Sequence, residues 1–239
     1  MLMSYHAIAA AIALNLYTMK DDPFSPLPLG PRDQIKPEII RLPENTLVNK
    51  LLFSDDTEFD WLCPKHFQLL SLKHFTPLSI ARKAAEFLSI PNTRVLDIGS
   101  GAGKFCLTAG YHFRETFFYG VEQRHELHHL AENIKRYTDL PNVNFIYGNV
   151  TQINFKEFDH FYFYNSFYEN IDQINKIDDT IELSEGLYNY YTQYLYMALS
   201  AKPSGTRLVT FHSLEQEIPP DYRLADVSYD TLMKMWIKE

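Results

Sequence analysis

Cysteine is almost absent: two occur in 239 residues, Cys63 and Cys106. Neither stands at metal-ligand or redox spacing, so a disulfide framework is excluded, and two scattered thiols fit a reducing, cytoplasmic compartment. Basic residues are also in short supply. The chain has 22 Lys+Arg against 30 Asp+Glu, a formal net charge of −8. An acidic chain is repelled by polyanions, and no Lys/Arg-rich stripe offsets this, so nucleic acid is a disfavoured partner. Long apolar runs are missing too. The run Ala7 to Leu14 is too short to span a bilayer. No Lys or Arg precedes it, and Met19-Lys20-Asp21-Asp22 is a poor cleavage region. It reads as a docked N-terminal helix, with no membrane association expected.

What is present suits a folded α/β chain. Apolar residues make up 46% and charged residues 22%, enough for a real core and too little charge for a disordered chain. The length fits one ordinary domain with an appendage or one large domain. Residues 21–45 are studded with Pro23, Pro26, Pro28, Pro31, Pro37 and Pro43, which predicts an extended connector. Short helical pieces are expected at Glu58–Trp61 and Phe67–Leu72. Thr76-Pro77 reads as an N-cap followed by proline at the first helical position, opening a helix that stops before Pro91. Residues 1–75 are therefore an N-terminal extension shaping the substrate side, and 76–239 the main domain.

From there strands and helices alternate. Strands are predicted at Arg94–Ile98, Thr116–Val121, Val143–Tyr147, Asp159–Tyr164 and Arg207–His212. Helices are predicted at about Lys104–Tyr111, 123–138 and Asp179–Ala201, and Tyr222–Lys238 closes the chain as a hairpin. Such alternation indicates a doubly wound, mostly parallel sheet with helices on both faces.

The chemistry gathers at the strand ends. Arg94-Val95-Leu96-Asp97-Ile98-Gly99-Ser100-Gly101-Ala102-Gly103 is a buried strand, an acid and a glycine turn entering a helix. In open α/β sheets that is where a nucleotide-sized ligand binds. The spacing is G-x-G-x-G, with Lys104 where the dinucleotide fingerprint G-x-G-x-x-G has its last glycine. An acid two residues ahead of the first glycine repels a pyrophosphate and suits a cationic ammonium. Glu122 ends the second strand, 19 residues after Gly103, and can accept hydrogen bonds from ribose hydroxyls. Asn149-Val150 follows the third strand, and Asn165-Ser166-Phe167-Tyr168 the fourth.

The glycine segment resembles motif I of the class I S-adenosylmethionine (SAM)-dependent methyltransferases, and the resemblance extends over about residues 75–212. It implies a Rossmann-like, mostly parallel seven-stranded sheet whose last strand is antiparallel. It implies SAM as cofactor, with Asp97, Gly99, Gly101 and Gly103 at its methionine end. Glu122 would hold its ribose, and Asn149 and Val150 its adenine. Thr76, in the segment His74-Phe75-Thr76-Pro77, lines the cofactor pocket in similar proteins. Asn149 stands where the family usually has aspartate, and keeps only the carbonyl acceptor. Asn165 and Tyr168 match the first and last residues of an Asn/Asp-Pro-Pro-Tyr type of motif, without its prolines. They are the candidate catalytic pair, pointing to a nitrogen acceptor on a small molecule or protein.

Two other readings stand beside this one. A SAM- or nucleoside-binding protein without transferase activity fits the altered Asn149 and Asn165-Ser166 positions. His125-Glu126-x-x-His129 matches a zinc hydrolase pattern. However, the apolar stripe Leu127, Leu130, Ala131 and Ile134 places both histidines on the outer helical face, so no metal is expected. Nothing in the sequence speaks to oligomeric state.

Overall fold

The predicted alternation is realised in the computed structural model, which describes residues 46–213 and 215–239. The run Ala7–Leu14 and the proline-rich connector 21–45 lie outside the described residues. Four helices come first: α1 (Thr46–Leu52), α2 (Asp56–Asp60), α3 (Lys65–His74) and α4 (Leu78–Leu88). Then follow β1 (Arg94–Ile98), α5 (Lys104–His112), β2 (Phe117–Glu122), α6 (His125–Thr138), β3 (Val143–Tyr147) and β4 (His160–Phe163). The chain closes with α7 (Glu185–Ser200), β5 (Arg207–Phe211) and the hairpin β6 (Tyr222–Ser228) and β7 (Met233–Lys238).

The strands form one seven-stranded sheet in the order β3-β2-β1-β4-β5-β7-β6. β7 runs antiparallel to both of its neighbours, while β1 to β5 pair in parallel. The strand order turns back on itself at β1, which has β2 on one side and β4 on the other. That reversal opens a crevice at the carboxyl ends of these strands, the place where open α/β sheets bind ligands.

Helices cover both faces, so the strands read as nearly unbroken apolar runs. Side chains still alternate. Val95 and Tyr162 enter the core beneath α4, α5 and α6. Leu96, Ile98, Phe161 and Phe163 enter the core beneath α7. The first of these cores also takes Phe53, Phe59, Leu62, Phe67 and Phe75 from the segment before α4. Burying side chains of this size stabilises by about 1.5–3 kcal/mol each, which fastens α1–α3 against the sheet domain. Among the described residues, no helix is long and apolar enough to cross a membrane.

Two local expectations are corrected. Thr76 does not cap α4: Pro77 holds the cap position and supplies no side-chain bond. The Leu78 N–H instead donates to Asp56 Oδ1 at 3.0 Å, so the helix is capped from α2. Thr76 spends its hydroxyl on Tyr162 OH at 3.1 Å. The long helix starts at Glu185 rather than near Asp179, because the Ser184 hydroxyl accepts the Leu187 N–H at 3.2 Å and sets the first turn.

Candidate active site

A cavity of about 500 Å³ opens at the carboxyl ends of β1, β2 and β4. Thr76, Asp97, Gly99, Gly101, Glu122, Asn149, Val150, Asn165 and Tyr168 all line it. Gly103, also expected here, is not in the lining. It sits at the left-handed start of α5 (φ 78°), and a Cβ there would lie 2.3 Å from Phe145. Its task is close helix–sheet packing.

The glycine turn is pinned by backbone bonds. The N–H groups of Gly99 and Ser100 donate to Val121 O at 3.0 and 2.9 Å. The Gly101 N–H donates to Glu122 Oε2 at 2.9 Å, and the Arg124 N–H to Glu122 Oε1 at 2.8 Å. Glu122 is thus held by two amides, and each carboxylate oxygen keeps a lone pair for a ligand hydroxyl. Burial raises its pKa, opposed by these bonds to Arg124 and Gly101. At Gly101 a Cβ would meet nothing nearer than Phe75 at 3.6 Å. The space above this turn is therefore the cradle that a side chain would fill, and it suits a ligand of nucleoside size.

Asp97 lies beneath the turn, 3% exposed, and accepts a weak bond from Cys106 Sγ at 3.7 Å. Burial pushes its carboxyl well above the ordinary value, and the nearby Glu122 carboxylate adds to this. A cationic group beside it would reverse that push.

Asn149 is an N-cap. Its Oδ1 accepts from Thr151 N at 3.0 Å and Thr151 Oγ1 at 2.9 Å. Its Nδ2 donates to Gln123 Oε1 at 2.8 Å and Tyr191 OH at 2.9 Å. A contact with an adenine amino group would compete with the two bonds its carbonyl already accepts. Beyond β4, Asn165 turns the chain with a left-handed φ of 41°, and its carbonyl accepts the Tyr168 N–H at 3.0 Å. Ser166 donates its hydroxyl to Ile98 O, which ties this turn to β1. Phe167 is buried, whereas Tyr168 is exposed at the cavity edge.

Three contributors escaped sequence reasoning. Lys104, 2% exposed, pairs with Asp56 at 2.7 Å and Asp60 at 2.8 Å and donates to Ser71 Oγ at 3.1 Å. It fastens α2 and α3 to the glycine turn. The available signal was a lysine heading a helix otherwise apolar in its first turns. Arg124 pairs with Glu169 at 2.7 Å and Asp178 at 3.0 Å. It holds the segment 169–178 beside the cavity, which Glu169, Asp172, Asn175 and Ile177 line. His212, after β5, also lines the cavity. His125 and His129 of α6 face outward: both are exposed and their rings stack at 6.1 Å. Among the described residues, no group of three or more His, Cys, Asp or Glu is placed to hold a metal ion.

A glycine turn at the strand-order reversal, with an acid on each of two adjacent strands, defines a nucleoside-binding α/β site. Comparison with known proteins narrows the class. A family model described as a methyltransferase domain matches residues 90–235, and the chain belongs to that family, with the fold and motifs of the class I SAM-dependent methyltransferases. No curated protein matches the chain. Among solved structures, TrmN from Thermus thermophilus is similar at 19% identity and a TM-score of 0.50, covering 70% of this chain and 49% of that one. The chain thus spans about half the length of that structure. An RNA methyltransferase from Salinibacter ruber in complex with S-adenosyl-L-homocysteine aligns at 16% identity and a TM-score of 0.47, covering 68% and 91% of the two chains. A coclaurine N-methyltransferase bound to N-methylheliamine and SAH aligns at 14% identity and a TM-score of 0.40, covering 58% and 37%.

Proposed function

We propose that this protein transfers the methyl group of SAM to a nitrogen of a small-molecule or protein acceptor. The carrying observation is one cavity that brings the glycine turn, Asp97 and Glu122 together with Asn165 and Tyr168. SAM, when bound, supplies an electrophilic methyl group on a sulfonium. The protein's part is alignment, since transfer from a sulfonium needs an in-line nucleophile and little proton chemistry until late. Glu122 holds the ribose hydroxyls, Asp97 offers negative charge to the amino-acid end, and Gly101 leaves the path clear. Thr76 and Val150 shape the walls, and Asn149 keeps the loop beside the adenine end in place through its cap. Asn165 accepts a hydrogen bond from the acceptor nitrogen, and Tyr168 lies against acceptor or sulfonium, where an aromatic face attracts a cation.

The net charge of −8, which opposes a polyanion, supports an acceptor other than nucleic acid. A cytoplasmic setting is supported by two unpaired, buried thiols, Cys63 and Cys106. Binding without transfer is the second reading, favoured by Asn149, whose side chain is committed to its cap.

Calorimetric titration tests the cofactor assignment. The protein should bind SAM and ignore NAD. Gly101→Leu should remain folded, losing about 1–2 kcal/mol of stability to its left-handed backbone, and should lose SAM binding because the side chain fills the cradle. Tight NAD binding without SAM binding overturns the assignment. SAM binding with no S-adenosylhomocysteine formed from it in the presence of amines supports the second reading.

A further inference from the structure

β4 and β5 run side by side in parallel, in the register Phe161↔Leu208, Tyr162↔Val209 and Phe163↔Thr210. Continued by one residue, that register brings Tyr164 beside Phe211, and the Tyr164 ring lies 4.8 Å from Phe211 and 5.7 Å from His212. Asn165 and His212 are the next residues of these two neighbouring segments. Both strands then leave the sheet through a left-handed residue that is not glycine, Asn165 at φ 41° and His212 at φ 57°. That conformation is costly for such residues, and it gathers at functional sites. Each turn is anchored by its backbone, Asn165 O accepting from Tyr168 N at 3.0 Å and His212 N donating to Leu232 O at 3.0 Å. Both residues line the cavity. Among the described residues, neither the Asn165 amide nor the His212 ring makes a hydrogen bond.

From this juxtaposition we infer that His212 is the general base of the transfer, that Asn165 orients the acceptor, and that the acceptor atom is a nitrogen bearing at least two hydrogens. The inference rests on the transfer reading above and adds to it the proton's destination. One N–H bonds the Asn165 carbonyl, which turns the nitrogen lone pair toward the methyl carbon. The nitrogen–carbon bond forms and the carbon–sulfur bond breaks, leaving its electron pair on sulfur. The second N–H proton passes to a ring nitrogen of His212 and from there to water. An oxygen or thiol acceptor has no second hydrogen for Asn165.

The surroundings suit a neutral imidazole. Tyr164 faces it from β4 and Phe211 from its own strand. On β7, Lys234 lies in register with Thr210 and is paired with Glu215 at 2.8 Å. His212 is largely exposed, and partial desolvation alone draws its pKa below the ordinary value of 6.5. The other cavity histidine, His74, stands among the charges of Glu169, Arg124 and Lys73.

The test uses the full chain, ¹³C-labelled at histidine, with the His212 resonance assigned through His212→Gln. Saturating SAM, a sulfonium cation, should lower the His212 titration midpoint by about one unit relative to saturating S-adenosylhomocysteine, which lacks that charge. Equal midpoints in the two complexes overturn the assignment of His212. Failure of SAM to bind overturns the transfer reading instead. In a second arm, benzylamine, phenol and benzyl mercaptan are offered as acceptors, and S-adenosylhomocysteine release is followed. Turnover should favour the amine. His212→Gln should cut it by about 100-fold or more at unchanged SAM affinity, and remove the inflection of the pH–rate profile at the His212 midpoint while leaving the limb set by the amine's own ammonium. Preference for phenol or thiol overturns the nitrogen assignment, and an unchanged rate in His212→Gln overturns the base.

Discussion

At the scale of single residues, Asp97 carries an energetic conflict. Its carboxyl is buried beside Glu122, and its pKa in the folded protein stands well above the ordinary 3.8. The folded state therefore holds this proton more tightly than the unfolded chain does. The resulting stability is complete below the ordinary value and is lost as pH rises through the folded value. Asp97→Asn removes the charge that burial penalises. It should raise the thermal midpoint at neutral and alkaline pH and change little in acid. The same substitution should weaken SAM by about 1.5–3 kcal/mol, the scale of a hydrogen bond to a charged group. Thermal scans from acid to alkaline pH, with and without SAM, check both halves. A midpoint lowered at neutral pH would show that the carboxylate stabilises the fold by itself.

Among elements, α5 shows why part of the site was legible in the sequence and part was not. The strand–acid–glycine run, Glu122 at the end of β2 and the turn after β4 are local features. Each lies within a few residues of a strand end, so periodicity and turn chemistry reveal them. Lys104 and Arg124 take their meaning from partners far along the chain: Asp60 lies 44 residues from Lys104, and Asp178 lies 54 from Arg124. Spacing cannot disclose such pairs. The cap of α4 failed for the same reason, since its acceptor is Asp56 on α2. His212 was read only as the end of a strand, because its value depends on the β4–β5 register. The Lys104 clamp makes a prediction at this scale. Lys104→Met should destabilise the fold by about 3–5 kcal/mol, because Asp60 is left partly buried without its partner. It should also weaken SAM, since α3 leads directly into Phe75 and Thr76 on the cavity wall. Urea unfolding checks the first effect, and Asp60→Asn in the same chain should restore part of the loss. Full stability in Lys104→Met would show that packing alone holds α2 and α3.

For the whole molecule, charge and shape together bear on the acceptor. A net charge of −8 over the whole chain should give poor retention of nucleic acid. Fluorescence anisotropy with a single-stranded RNA should find affinity weaker than about 10⁻⁴ M at physiological salt, below the usual range of non-specific binders. Tight binding that falls steeply with salt would make nucleic acid the acceptor class. The fastening of segment 169–178 has a consequence in time rather than in affinity. Arg124 holds it at Glu169 and Asp178, and Lys73 donates to Asn175 at 3.4 Å from the opposite wall. Arg124 also offers its backbone N–H to Glu122, so the residue that steadies that carboxylate also ties down the flanking segment. Opening that segment for exchange means parting charges, and dissolved ions ease such a parting. The residence time of spent product should therefore shorten as ionic strength rises, which stopped-flow displacement of S-adenosylhomocysteine at increasing salt would measure.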